Sequence, residues 1–174
     1  MINNEYAFTP EIDLNLDQIN RVVLENLHVT IPGLASHHRL VKSSDFLCSV
    51  REQYPFLGEF YNIYITSQSY ITPVHVDSAR NCALNFPIAN TENSHTVFYK
   101  TINELSSKEI PDRVYHLVDS DVTEVFRFTL TRPTLINTKV PHGVLDSGNK
   151  KRIILSWSIG GIYDYESVKR ILEK

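Results

Sequence analysis

His75 and Asp77 stand two apart in "ITPVHVDSAR", and His142 lies 67 residues beyond His75 in "NTKVPHGVLD". On an extended segment, residues i and i+2 project to the same side. The His-x-Asp pair therefore aims an imidazole and a carboxylate at one point. A second imidazole completes a donor set that covers one face of a metal and leaves the other open. That set suits Fe(II) and also Zn(II). Ten residues after His142, Arg152 opens the apolar run "RIILSWSI". A guanidinium beginning an apolar strand needs an anionic partner, and its planar fork matches a carboxylate through two parallel bonds.

The order His-x-Asp, long gap, histidine, then arginine on a strand resembles the Fe(II)/2-oxoglutarate-dependent oxygenases. The resemblance covers roughly residues 60–160 by motif order. It implies Fe(II) held by His75, Asp77 and His142, 2-oxoglutarate as co-substrate, and a supporting role for ascorbate. It also implies oxidative decarboxylation to succinate and CO₂ coupled to attack on a substrate C–H bond. Members that halogenate lack the carboxylate ligand; Asp77 is present, so hydroxylation or a related oxidation is implied. Arg152 matches the residue that holds the far carboxylate of 2-oxoglutarate. The usual hydroxyl two positions on is here Ile154, and Ser156 is the next hydroxyl on that strand face. Asn85, a polar residue in the apolar run "CALNFPIA", is a further co-substrate candidate, as are the phenols of Tyr64 and Tyr99. Asp77 and Arg80 resemble the "D-x-x-R" segment of aspartyl/asparaginyl-hydroxylase-like members, which makes Arg80 a candidate for holding substrate or co-substrate. Plainer readings stand beside these. His75 could be a core histidine paired with Asp77, His142 a turn residue before Gly143, Arg80 a surface ion pair, and Lys150, Lys151 and Arg152 a solvated basic turn.

Other classes remain open. A jelly-roll binding module without 2-oxoglutarate turnover would keep the same residues. A zinc enzyme would need no co-substrate cation. Cupins usually offer an HxH cluster and a glutamate, which this chain lacks. Arg152 discriminates, according to whether it faces the metal pocket or solvent.

The chain has 174 residues, 42% hydrophobic and 21% charged, with a net charge of −3. One domain is the expectation at that length. A mildly acidic chain carries no basic nucleic-acid footprint. Two cysteines, Cys48 and Cys82, are too few for a disulfide scaffold and fit a reduced compartment. No apolar run approaches the ~20 residues of a membrane span, and the first residues lack the pattern of a secretory signal. A cytoplasmic protein acting on a small molecule or peptide is expected. Substrate identity and oligomeric state are not legible.

Positioning the triad requires a scaffold that brings distant residues to one mouth. The first third reads as helical. Asp13 or Asn15 caps a stripe of Leu16, Ile19, Val22, Val23 and Leu27, ended by the turn Ile31-Pro32-Gly33. A second helix starts at Ser43 or Ser44, carries Phe46, Leu47, Val50 and Tyr54, and stops at Pro55. From residue 60 the runs "FYNIYITS", "CALNFPIA", "HTVFYK", "VYHLVD", "EVFRFTL", "PTLINT" and "RIILSWSI" are short and rich in aromatic and β-branched residues, as strands are. Asp164 caps a closing helix. The expected fold is α+β, mainly β: a double-stranded β-helix (a cupin-like jelly roll) with N-terminal supporting helices. The expected division is 1–58 helical support, 59–160 jelly-roll core and 161–174 C-terminal helix. Segment 90–96 and stretch 101–114 are expected to form the substrate-selecting rims.

Overall fold

The computed structural model describes residues 1–25, 27, 38–42, 45–58, 60–66, 71–109 and 115–174. Twelve strands and three helices run in the order β1 (Ala7–Phe8), α1 (Leu16–Glu25), β2 (His38–Lys42), α2 (Asp45–Gln53), β3 (Phe60–Thr66), β4 (His75–Asp77), β5 (Cys82–Ala89), β6 (Ser94–Thr101), β7 (Ser107–Glu109), β8 (Tyr115–Val118), β9 (Val122–Thr129), β10 (Thr134–Asn137), β11 (His142–Asp146), β12 (Arg152–Ile159) and α3 (Tyr165–Leu172). The strands form two antiparallel six-stranded sheets. One has the order β1-β10-β5-β12-β3-β2, the other β7-β8-β4-β11-β6-β9. From β3 to β6, and again from β9 to β12, successive strands alternate between the sheets, which is the winding of a double-stranded β-helix.

The helical stripes read from the sequence are buried in part; Leu16, expected on the α1 stripe, is exposed. Asn15 accepts a bond at 3.0 Å from the Gln18 amide and so caps α1, whose Ile19, Val22 and Val23 are buried. Asp164 and Ser167 form a reciprocal capping box on α3. Phe46, Val50 and Tyr54 from α2 and the residues after it join the same core. The turn at Ile31-Pro32-Gly33, the cap at Ser43 or Ser44, and residues 110–114 of the second rim lie outside the described residues. The N-terminal support also supplies strands. β1 pairs with β10 and β2 with β3, closing the two edges of the first sheet. Neither was legible: β1 is two residues long, and β2 follows a stretch that reads as helical.

The period-2 alternation of β12 divides the interior in two. Leu155, Trp157 and Ile159 face the helices and pack with Ile63, Leu84, Phe86, Leu135 and Val168. Trp157 is fully buried and donates its indole N–H to the Gly58 carbonyl at 2.7 Å. Ile154 faces the other way, into a second cluster with Ala83, Phe98, Phe128 and Ile136 between the sheets. Arg152 and Ser156 share the Ile154 face. Across the ladders Asn85 sits opposite Ser156, and Tyr64 opposite Ile154. β5 is covered on both sides, so its first five residues are all buried and the expected alternation disappears. Among the described residues, no helix is long and apolar enough to cross a membrane.

Candidate metal centre

β4 is three residues long, and its ends carry His75 and Asp77 on one face. His142 opens β11 directly opposite His75 in the antiparallel register. The sequence places His142 on a segment leaving "PTLINT"; it in fact begins a strand of its own, and that register brings the imidazoles together. Their ring centroids are 4.4 Å apart, and one ligand atom from each of His75, Asp77 and His142 lies within 4.8 Å of the others. All three residues are buried. The Nδ1 of His75 is 2.8 Å from the Pro73 carbonyl, and the Nδ1 of His142 is 2.9 Å from that of Val140. A carbonyl only accepts, so each Nδ1 carries the proton and donates. Each Nε2 is left with a lone pair for a metal.

The electrostatics agree with that role. Burial, with His75 alongside, pushes the His142 imidazole down to about 4; burial also lowers His75. Burial alone would raise Asp77, but the Arg80 guanidinium and the two imidazoles outweigh it and hold the carboxyl below its ordinary value. The ligands thus enter neutral solution as two neutral imidazoles and a carboxylate, the forms a divalent metal requires. A stability consequence follows for the metal-free protein. An unfolded histidine titrates near 6.5, a folded His142 near 4, so between these values the unfolded chain binds more protons and stability falls as pH drops. The urea midpoint of chelator-treated protein is expected to decline from pH 6.5 to 4 and to be flat with respect to this group above 6.5.

Arg152 begins β12 on the inner face and is 3% exposed. Among the described residues its Nε has no hydrogen-bond partner. Burial pulls the guanidinium down to about 10, opposed by the Asp146 carboxylate, so it stays cationic at neutral pH. Asp146 accepts a bond from the Gly148 amide at 3.0 Å. The Asn85 Oδ1 and the Ser94 Oγ are also buried without partners. Arg80 donates from Nε to Asp77 Oδ2 at 2.5 Å and from Nη1 to Ser156 Oγ at 2.8 Å.

No family model and no curated protein matches this chain. Solved structures do. The epimerase SnoN, in complex with Fe³⁺, α-ketoglutarate and nogalamycin RO, superposes with a TM-score of 0.58 at 10% identity, over 88% of this chain and 78% of that one. A prolyl-4-hydroxylase from Pseudomonas putida gives a TM-score of 0.52 at 11% identity, over 90% and 94%. The chain shares the double-stranded β-helix fold of these two proteins.

Within this fold the remaining candidates separate. Arg152, Asn85, Tyr64 and Ser156 all lie on the inner face of the first sheet. The turn after Asp77 carries Arg80 across to Ser156, whose hydroxyl oxygen accepts from that guanidinium; this bond does not use the O–H that would donate to a carboxylate. Arg80 is not a free substrate-binding cation: two of its nitrogens are engaged by Asp77 and Ser156, with its guanidinium 6.0 Å from the Tyr64 ring centroid. Tyr99 is misassigned by the sequence reading. Phe98 points inward against His142, ring centroids 5.9 Å apart, so its neighbour Tyr99 points outward. It lines a separate cavity of about 410 Å³ with Glu5, Tyr6 and Pro141.

Three inward residues escaped the sequence reading. The Tyr115 ring packs at 4.8 Å on His75. Ser94 and Asp146 face each other across β6 and β11. Asp146 was discoverable, because His142, Val144 and Asp146 alternate onto one face once β11 is known to be a strand. Ser94, expected on a rim, is 2% exposed.

Gly143 permits the close approach of β11 to the segment before β4. A Cβ there would lie 2.9 Å from the Thr72 carbonyl oxygen, while the Thr72 amide bonds Val144 at 2.8 Å. Backbone meets backbone, so neither side can yield cheaply. Gly143→Ala is expected to cost about 1–3 kcal/mol of stability and to shift His142 away from His75. Thermal melting and metal titration of the variant check both effects.

Proposed function

We propose that this protein is an Fe(II)- and 2-oxoglutarate-dependent dioxygenase that hydroxylates a C–H bond of a small-molecule or peptide substrate in the cytoplasm. The observation that carries the reading is the pairing of two buried features inside the β-helix. One is a buried His-Asp-His triad whose Nε2 atoms are preset as ligands. The other is a buried Arg152 whose Nε lacks a partner among the described residues. Buried polar groups need partners, and a dicarboxylate co-substrate supplies acceptors of the right charge.

His75, Asp77 and His142 would hold Fe(II), with the face away from them open. Arg152 would take the far carboxylate of 2-oxoglutarate. Asn85, on the inner face beside Ser156, would present its amide N–H donors to the bound co-substrate. Phe98, Phe128 and Ile154 line the space between the sheets and exclude water from it. The metal and co-substrate together supply the oxidation: 2-oxoglutarate, O₂ and R–H become succinate, CO₂ and R–OH. The chain's own residues bind, orient and keep the pocket dry.

The deciding experiment is succinate formation from 2-oxoglutarate with Fe(II), ascorbate and O₂, with His75→Ala as control. Succinate above the control supports the oxygenase class. Failure of anaerobic metal and 2-oxoglutarate binding together would refute it. One observation favours a second reading. The Asp146 carboxylate already acts on Arg152, as in a binding module that has no need of a co-substrate anion there. Metal binding without 2-oxoglutarate binding would favour that module.

A further inference from the structure

β4 is poorly held for a strand that carries two metal ligands. It pairs with β11 through a single residue pair, His75 with His142, although β8 supports its other edge. Asp77 pairs with Tyr115 on the β8 side; on the β11 side its end is fixed by bonds from outside the ladder. The Asp77 amide donates to the Thr138 carbonyl at 3.0 Å. Lys139 Nζ donates to the Asp77 carbonyl at 2.9 Å. The Thr138 hydroxyl donates to the Arg80 carbonyl at 3.1 Å. These bonds hold the main chain; the Asp77 carboxylate itself is held by Arg80.

We propose that Arg80 is the positioning residue of the metal carboxylate, a strut that fixes which oxygen of Asp77 meets the metal. This rests on the reading of the triad as a metal site. The Arg80 Nε takes Oδ2 at 2.5 Å, while Oδ1 lies 3.8 Å from His75 Nε2, on the side of the other ligands. An aspartate tied at one oxygen offers the metal only the other. That matters because a carboxylate binding through both oxygens would occupy a position the reaction needs open. The far end of the strut is anchored as firmly. Nη1 donates to Ser156 Oγ at 2.8 Å, 76 residues away on β12 of the opposite sheet, and the Tyr64 ring lies beneath the guanidinium. Arg80 thus ties the metal strand of one sheet to the floor of the other. A lysine could not replace it, since one ammonium cannot present two divergent donors in fixed geometry.

Anaerobic titration with Co(II), followed by visible absorption, tests the proposal on wild type, Arg80→Ala and Arg80→Lys. Loss of an outer partner of a metal ligand typically weakens metal binding by about 10–100-fold. Arg80→Ala is expected to show that loss together with an altered Co(II) spectrum, and Arg80→Lys to recover the affinity only partly. Should the alanine variant fail to fold, Arg80→Lys and Ser156→Ala decide. Ser156→Ala frees only the far end of the strut and is expected to cost less than either Arg80 change. Wild-type Co(II) affinity and spectrum in the variants that fold would overturn the proposal, whatever happens to melting temperature. So would a loss confined to 2-oxoglutarate affinity, which would make Arg80 a co-substrate ligand. A wild-type protein that binds Co(II) with this Arg80 dependence yet binds no 2-oxoglutarate would sink the proposed function and leave the role of Arg80 standing.

Discussion

His142→Ala is expected to abolish metal-dependent succinate formation and to weaken metal binding by more than the ~10–100-fold typical of losing an outer partner. His142 supplies one of three ligands, and the position directly opposite His75 offers no substitute donor. The stability cost should be modest by comparison. The imidazole is 3% exposed, and its removal leaves the Val140 carbonyl without its donor, worth about 1–3 kcal/mol. The same change removes the buried group that resists protonation. The metal-free variant should therefore lose less stability than wild type between pH 6.5 and 4, and urea titrations at the two ends of that range measure the difference. Unchanged Co(II) binding in a folded His142→Ala protein would return this residue to the core.

Arg152→Ala is expected to weaken 2-oxoglutarate binding while leaving metal affinity near that of wild type. Truncating one member of a buried charge pair costs about 2–5 kcal/mol, upward of ~30-fold in Kd. The expectation depends on the inward orientation of the side chain, its unpaired Nε and its retained charge. Asp146 adds a second consequence. It is 4% exposed and loses the cation that compensates it, so the metal-free variant should also melt at a lower temperature. Arg152→Lys separates the two effects: it keeps a charge for Asp146 but loses the fork for a carboxylate. Lysine should restore stability more than co-substrate affinity. Isothermal titration with 2-oxoglutarate in the presence of an inert divalent metal reads the binding. Loss of the metal itself on Arg152→Ala would contradict the role assigned here.

Short-range pattern in the sequence determined a good deal. The i, i+2 spacing of His75 and Asp77, the caps at Asn15 and Asp164, the stripe of α1 and the β-branched runs that became β3, β5, β6 and β12 are all local, and local periodicity needs no knowledge of the fold. The ten-residue offset from His142 to Arg152 was equally plain, because one loop joins β11 to β12. What the sequence could not supply was register between distant strands. The pairing of His142 with His75 depends on a ladder joining residues 67 apart. The orientation of Phe98 toward His142 and Tyr99 away from it depends on the neighbouring ladder between β6 and β11, since a shift of one residue exchanges the two faces. Short strands were invisible for a related reason. β1, β4 and β7 have two or three residues each, too few to show a period, and exist because longer neighbours hold them. Arg80 is the clearest case. Its bond to Asp77 is three residues long and readable as a turn. Its bond to Ser156 exists only because the two sheets face one another, and that contact decides whether the arginine is free to hold a substrate or is committed to the metal's own carboxylate.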